Sequence, residues 1–128
     1  MNLLRAVPVL ALVAATAALG PALAGATAGD PERGARVYER CQGCHSLDAN
    51  QVGPAHRGVY GRRAGGVGDF RYSVALSASG IVWDDATLDR WLADPGGFVP
   101  GSRMGYRLRA AQDRVDVIAF LKRAGQAP

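Results

Sequence analysis

The sequence predicts a small, mainly α-helical domain with long loops. Three stretches place apolar residues at helical spacing. Nowhere in the sequence do apolar and polar residues alternate over a stretch long enough to predict a β-sheet. Glycine accounts for 17 of the 128 residues, which indicates much loop structure. The length fits one domain, and no internal repeat is visible. With 48% apolar and 20% charged residues, the composition is that of a globular protein and not of a disordered one.

Residues 1–28 have the layout of a secretory signal peptide, which we expect to be cleaved. Arg5 supplies the positive charge, residues 6–19 are largely apolar, and two small-x-small sites end at Ala24 and Ala28. We place the cleavage after Ala28, with Ala24 as the other candidate, so that residues 29–128 form a single mature domain. The apolar run is shorter than the ~18 residues of a transmembrane helix. A retained N-terminal anchor is the alternative; the preferred interpretation is an exported protein without stable membrane insertion after cleavage.

Two of the three predicted helices have recognisable terminal residues. Pro31 and Glu32 suit the first turn of the first helix, and Pro95 ends the second. The predicted helices are Pro31–Gln42, a second from an Asp84 or Asp85 cap to just before Pro95, and a third from about Ala110 to Ala124. Loops rich in glycine and proline, residues 53–69 and 96–107, separate them.

Charge and cysteine content exclude several classes of protein. A net charge of +4 is too small to argue for a nucleic-acid partner. Two cysteines exclude a disulfide-dense scaffold and any zinc site with four thiolates. A mature domain of this size lies near the lower end of what a side-chain core stabilises, so a bound cofactor would help.

The segment Cys41-Gln42-Gly43-Cys44-His45 has the spacing of covalent c-type haem attachment. One helical turn brings the two sulfurs to one side, where each can add across a haem vinyl group, and the histidine can then reach the iron. A zinc site would need two more ligands, and only His56 remains among Cys and His. A thioredoxin-like redox pair should lie in a βαβ setting, which is not visible. A structural disulfide would leave His45 without a role, and export itself favours haem.

Met104 is the candidate for a second axial ligand of the iron. It is the only methionine besides Met1, and it lies in the loop segment Pro100-Gly101-Ser102-Arg103-Met104-Gly105-Tyr106. The alternative is a methionine that fills a gap in an apolar core. A thioether ligand favours ferrous iron and raises the reduction potential.

Taken together, these motifs resemble those of the class I c-type cytochromes. The resemblance covers nearly all of residues 29–128. It rests on Gly34 and Tyr38 before the haem motif, Gly53-Pro54, Gly58-Val59-Tyr60-Gly61-Arg62, Phe70-Arg71-Tyr72-Ser73, Gly80-Ile81-Val82-Trp83, the Met104 segment, and Arg114-Val115-Asp116-Val117-Ile118-Ala119-Phe120-Leu121. The sequence is similar to the soluble bacterial and mitochondrial electron carriers. The resemblance implies a small cytochrome c fold of three to five helices, with long loops wrapped around one covalently bound haem.

The resemblance also implies roles for individual residues. Cys41 and Cys44 would anchor one haem c per chain, with His45 and Met104 as the axial ligands. The Pro54 carbonyl would accept a hydrogen bond from His45. Residues that match haem-propionate contacts are Arg62, Tyr72 and Trp83, and those that match the tight crossing of the first and last helices are Gly34 and Phe120.

Two positions depart from the pattern of the family. His56 stands where relatives often have leucine, and we expect either a partly exposed packing residue or a weak alternative ligand. Trp91 stands where many relatives have a tyrosine near the methionine sulfur, and its indole N–H could contact that sulfur instead.

The function that the resemblance implies is a monomeric periplasmic electron carrier, not an enzyme. Exposed arginines near the haem edge would steer acidic redox partners; these are Arg57, Arg62, Arg63, Arg103, Arg107 and Arg109. A membrane oxidase, a reductase, a photosynthetic reaction centre and a periplasmic dehydrogenase are all compatible partners in a respiratory or photosynthetic chain. The alternative is a haem enzyme or gas-sensing domain in which Met104 dissociates.

Overall fold

The structure, a computed structural model, describes residues 25–127. Most of the predicted signal peptide therefore lies outside the described residues. Within residues 25–127 the helices are α1 (Pro31–Tyr38), α2 (Val74–Ser77), α3 (Asp85–Ala93), α4 (Pro95–Phe98) and α5 (Ala111–Gln126), and a 3₁₀ turn (Glu39–Cys41) follows α1. The only extended pairing in this part of the chain is a single antiparallel bridge between Arg63 and Val82. The predicted mainly α-helical class is confirmed.

Helix α1 begins as predicted but ends early. The Asp30 carboxylate caps it, because Oδ1 accepts hydrogen bonds from the backbone N–H groups of Glu32 and Arg33 at 2.8 and 3.0 Å. The α-helix stops at Tyr38, and the predicted continuation to Gln42 is replaced by the 3₁₀ turn through Cys41. The prediction of one unbroken helix is wrong because periodicity does not distinguish an α-helical turn from the tighter 3₁₀ turn.

Helix α3 has the ends that the sequence predicted. Asp84 is the cap: its Oδ1 accepts from the Thr87 N–H at 2.7 Å, and the Thr87 hydroxyl accepts from the Asp84 N–H at 2.8 Å. The helix ends at Ala93, just before Pro95.

Two one-turn helices were not predicted from the sequence. Helix α4 occupies the start of a segment predicted to be loop, with Pro95 at its first position and Asp94 Oδ1 accepting from the Gly97 N–H at 3.1 Å. Helix α2 is capped by Ser73, whose hydroxyl accepts from the Leu76 N–H at 3.1 Å. A single turn is too short to show a helical period, so only the capping residues signal it.

The N- and C-terminal helices cross at Gly34. A β-carbon at this position would overlap the backbone carbonyl of Asp116 and lie 2.8 Å from the β-carbon of Phe120. The rings of Tyr38 and Phe120 pack across the crossing with centroids 5.0 Å apart. The predicted crossing of Gly34 and Phe120 is confirmed.

The core lies between this crossing, α3 and the loops. Its buried members are Val37, Tyr38, Val59, Ala64, Trp83, Leu88, Trp91, Leu92, Val99, Leu108, Val117, Ile118 and Leu121. The two tryptophan rings pack at 5.5 Å and 55°. Since helices and loops both contribute, the loops are part of the packed interior.

A buried carboxylate joins the start of α1 to α5. Asp116 is 2% exposed, and its oxygens accept from the Asp30 backbone N–H at 2.8 Å, from Arg33 Nε and Nη2 at 2.8 and 3.0 Å, and from Gln112 Nε2 at 3.0 Å. The Arg33 hydrogen bonds lower the pKa of Asp116 from 3.8 to about 2, against the opposing effect of burial. The charged form of Asp116 therefore stabilises the folded state.

We expect Asp116→Asn to lower the free energy of unfolding by about 1–3 kcal/mol at pH 7, because the buried network loses its negative charge and one acceptor oxygen, and the new NH2 group faces the Arg33 donors. The folded pKa lies below the unfolded value, so this stabilisation is present above pH 3.8 and is lost as the pH falls towards about 2. Urea unfolding of both proteins followed by circular dichroism should therefore show a difference that shrinks at low pH. The control is Asp113→Asn, which breaks the more exposed Arg40–Asp113 pair and should cost less. If both variants lost the same free energy of unfolding, the stabilising role assigned to the buried Asp116 carboxylate would be contradicted.

Candidate functional site

The two cysteines and the following histidine lie on one turn at the end of α1. The backbone N–H groups of Cys44 and His45 both donate to the Cys41 carbonyl, at 3.1 and 2.9 Å. Both thiols are free; Cys41 is half-buried and Cys44 is exposed. Burial raises the pKa of Cys41 to about 11. The Cys41 thiol is therefore protonated and uncharged in this environment.

The His45 ring is oriented by a hydrogen bond to the backbone. Its Nδ1 lies 2.9 Å from the Pro54 carbonyl oxygen. Because a carbonyl only accepts, Nδ1 carries the proton and donates it, and Nε2 keeps its lone pair for a metal. Burial lowers the pKa of His45, with the Pro54 hydrogen bond opposing it. The ring is thus a neutral imidazole in the tautomer that a metal ligand requires.

Gly53 packs directly against His45. A β-carbon at position 53 would overlap the imidazole ring, and the Gly53 N–H donates to the Cys44 carbonyl at 2.8 Å. The sequence signals Gly53 only as part of the resemblance. The contact with His45 forms when the intervening loop folds back, and no local pattern in the sequence predicts it.

His56 lies against the other side of the histidine ring. The His45 and His56 rings are stacked, with centroids 3.9 Å apart and planes inclined by 19°. The Tyr38 hydroxyl oxygen lies 3.1 Å from His56 Nδ1. Burial, together with the charges of His45 and Arg62, lowers the pKa of His56 to about 3. His56 is therefore a neutral, half-buried ring.

Arg62 is a half-buried guanidinium whose hydrogen bonds go to backbone carbonyls. Within residues 25–127, Nη2 donates to the Ala55 carbonyl at 2.8 Å and Nη1 to the Arg57 carbonyl at 3.3 Å. Burial lowers the pKa of Arg62. A partly buried cation with no carboxylate among these partners fits an anionic group of a cofactor, such as a propionate.

Trp83 is held next to Arg62 by the backbone. The Trp83 N–H donates to the Arg62 carbonyl at 2.9 Å, and the Gly61 N–H donates to the Trp83 carbonyl at 2.7 Å. The Tyr72 hydroxyl accepts from the Val67 N–H at 3.2 Å, which leaves its own proton for another acceptor. These groups fit the set of donors that the resemblance assigns to the propionates.

Met104 lies in the loop between α4 and α5 and packs partly buried against the core. The loop is tied at both ends: Ser102 N–H donates to the Val99 carbonyl at 3.0 Å, and the Leu108 N–H donates to the Leu92 carbonyl at 2.8 Å. Trp91 is buried in the same core. Met104 is thus a soft donor in a loop that the core holds in place.

Within residues 25–127, no group of three or more His, Cys, Asp or Glu side chains is arranged to hold a metal ion. The zinc alternative therefore gains no support from the described part of the chain. Free thiols, a metal-ready imidazole, a thioether and a buried cation instead fit a covalently attached haem.

Fold and site together define a class I c-type cytochrome. The family model described as Cytochrome c matches residues 31–125. The chain is 45% identical to cytochrome c2 of Rhodomicrobium vannielii over 98 residues, covering 73% of this chain and 78% of that protein. It is 46% identical to cytochrome c2 iso-2 of Magnetospirillum fulvum over 89 residues, covering 67% and 93%.

A solved structure gives the same result. Cytochrome cH from Methylobacterium extorquens superposes with a TM-score of 0.72 at 40% identity, covering 74% of this chain and 99% of that one. The chain belongs to the cytochrome c family. Membership in this family implies electron-carrier function and a covalently bound haem c.

We expect Gly53→Ala to reduce the yield of protein with normal haem ligation by about tenfold or more, because the added methyl group displaces the His45 ring. The measurement is the visible spectrum, together with covalent haem per chain, after expression in a host that matures c-type haem. Gly43→Ala is the matched control: it lies inside the haem motif, and a β-carbon there meets nothing within 4 Å. Normal ligation in Gly53→Ala would show that the ring tolerates a neighbouring side chain.

Proposed function

We propose that the chain is a periplasmic electron carrier with one haem c, bound through Cys41 and Cys44 and ligated by His45 and Met104. The observation that supports this most directly is the His45 Nδ1–Pro54 hydrogen bond, in the same turn that bears two free thiols. When bound, the haem iron supplies a one-electron couple between its ferric and ferrous states. Haem binding by these particular residues and the periplasmic location are our proposals.

The protein's contribution is to hold the ligands and to bury the charges of the cofactor. Pro54 fixes the tautomer of His45, and the loop ties at Ser102 and Leu108 hold Met104 against the core. Arg62 would donate to a propionate carboxylate, compensating the cost of burying it. Preformed ligands change little between oxidation states, which favours rapid electron transfer.

Tyr72, Trp83 and Trp91 complete the proposed cofactor contacts. The Tyr72 hydroxyl has a proton to donate, since it accepts from Val67. Trp83, whose backbone is bonded to Arg62, would add its indole N–H to the propionate contacts. Trp91 packs against Trp83 and would approach the Met104 sulfur with its own N–H.

We expect Met104→Ala to keep haem covalently attached but to open the iron to exogenous ligands. The far-red sulfur-to-iron band should disappear, and the ferrous protein should bind carbon monoxide, which the unmodified protein should not do. Met104→His is the control, because it restores six ligands without restoring the sulfur band. An unchanged spectrum in Met104→Ala would remove this residue from the ligand role. Ready carbon monoxide binding by the unmodified protein would favour the enzyme or gas-sensor alternative.

Fewer of the predicted arginines are available for docking than the sequence indicated. Arg57 forms an ion pair with Asp48, and Arg107 forms one with Asp94 at 2.7 Å, so part of their charge is neutralised. Arg62 turns inward to backbone carbonyls. Of the predicted arginines, Arg63, Arg103 and Arg109 remain exposed for docking. Arg71, which the sequence-based set did not include, is exposed as well.

Arg71 and Arg103 lie together beside the proposed site. Arg103 Nη1 donates to the Arg71 carbonyl at 3.3 Å. These two residues directly precede Tyr72 and Met104 in the sequence. We place the centre of the docking surface at this pair, where its positive charge would attract acidic partners.

Reversal of this charge, in Arg71→Glu/Arg103→Glu, should slow oxidation of the ferrous protein by the anion ferricyanide. We expect a several-fold loss at low salt, up to about tenfold, that vanishes at high salt. Stopped-flow rates across ionic strengths measure it. The matched control is Arg36→Glu/Arg123→Glu on α1 and α5, which changes the net charge equally. If both double variants slow equally, the effect is one of net charge and the proposed location is wrong.

The proposal that the protein is exported depends on the predicted signal peptide in residues 1–28. Within residues 25–127, no helix is long and apolar enough to cross a membrane. The Thr27 backbone N–H and hydroxyl both donate to Gln112 Oε1, at 2.7 and 2.9 Å. Cleavage after Ala24 would keep these contacts in the mature protein, whereas cleavage after Ala28 would remove them.

A further inference from the structure

Three contacts restrain the His45 ring, and only two of them belong to the Gly53-Pro54 segment. Pro54 holds Nδ1, and Gly53 packs closely on the ring. With only one ring atom hydrogen-bonded, the imidazole plane can still rotate about that atom. The third contact, the stacked ring of His56 at 3.9 Å and 19°, covers a face of the imidazole and opposes that motion.

His56 is itself held by the N-terminal helix. Its Nδ1 is hydrogen-bonded to the Tyr38 hydroxyl at 3.1 Å. Tyr38 is 2% exposed and packs on Phe120 at the α1–α5 crossing. The His56 ring is therefore tied, through Tyr38, to the close crossing of α1 and α5.

The structure shows His56 as a packing residue. Its Nδ1 atom is engaged with Tyr38, and its ring is stacked face to face on the His45 ring. The flat face of His56 is therefore the part that contacts the His45 imidazole.

We propose that His56, held by the Tyr38 hydroxyl, is a positioning residue that sets the orientation of the His45 imidazole plane. The inference rests on the proposed ligation by His45. A leucine side chain at this position could fill the volume but would lack a flat face to define the plane. Tyr38 and His56 would thus act on the haem site through His45, by fixing the orientation of its ring.

The test is the proton NMR spectrum of the ferric holoprotein. The order and spread of the hyperfine-shifted haem methyl resonances report the orientation of the axial imidazole plane. We expect His56→Leu to change that order or spread, and Tyr38→Phe to shift it in the same direction by less, since only the hydroxyl is removed. The matched control is Tyr60→Phe, which removes a hydroxyl bonded to Asp85 at 2.9 Å and should leave the methyl pattern unchanged.

An unchanged methyl pattern in His56→Leu would overturn the positioning role. If His56→Leu does not accumulate with haem, Tyr38→Phe decides: a shifted pattern supports the proposal, and an unchanged one overturns it. Failure of the proposed ligation would look different. The unmodified ferric protein would then lack the low-spin hyperfine pattern and the sulfur-to-iron band, before any variant is compared.

Discussion

The crossing of α1 and α5 at Gly34 is the constraint on which the rest of the structure depends. The two backbones approach so closely that no side chain fits between them, and the buried Asp116 carboxylate ties the start of α1 to α5. Tyr38 then packs on α5, and its hydroxyl reaches His56. The cysteine turn follows Tyr38 directly, so the direction in which α1 leaves the crossing also sets where the haem ligands begin. A helix shifted by one residue would move the entire motif.

Buried polar groups connect the fold to its function. Asp116 is satisfied within the described part of the chain, by hydrogen bonds from Arg33, Asp30 and Gln112, and its pKa is accordingly low. Arg62 differs, because burial lowers its pKa and its partners are backbone carbonyls. A charge compensated by neighbouring residues contributes to stability, whereas one that meets only neutral acceptors suits an anionic ligand. Asp116 thus belongs to the contact between α1 and α5, whereas Arg62 belongs to the site proposed to bind the haem.

The sequence predicted the helical class, the three longer helices and the Gly34–Phe120 crossing. It was wrong about the end of the first helix and missed α2 and α4, because single turns and 3₁₀ geometry have no distinctive period. Among the arginines, it could not separate those neutralised by ion pairs, such as Arg57 and Arg107, from exposed ones such as Arg103. The residue assignments at the haem site remain predictions, although the Pro54 carbonyl does accept from His45 as the resemblance implied.

By itself, the sequence determined the chemistry that the chain offers: two thiols and an imidazole at fixed local spacing, and one thioether. Such features are local or compositional, so they can be read along the chain. Only the tertiary structure decided which groups meet across it. The stacking of His56 on His45, the hydroxyl of Tyr38 at His56, and the adjacency of Arg71 and Arg103 join residues from separate segments. Their proximity depends on how helices and loops pack, and packing distance is not encoded in any local spacing.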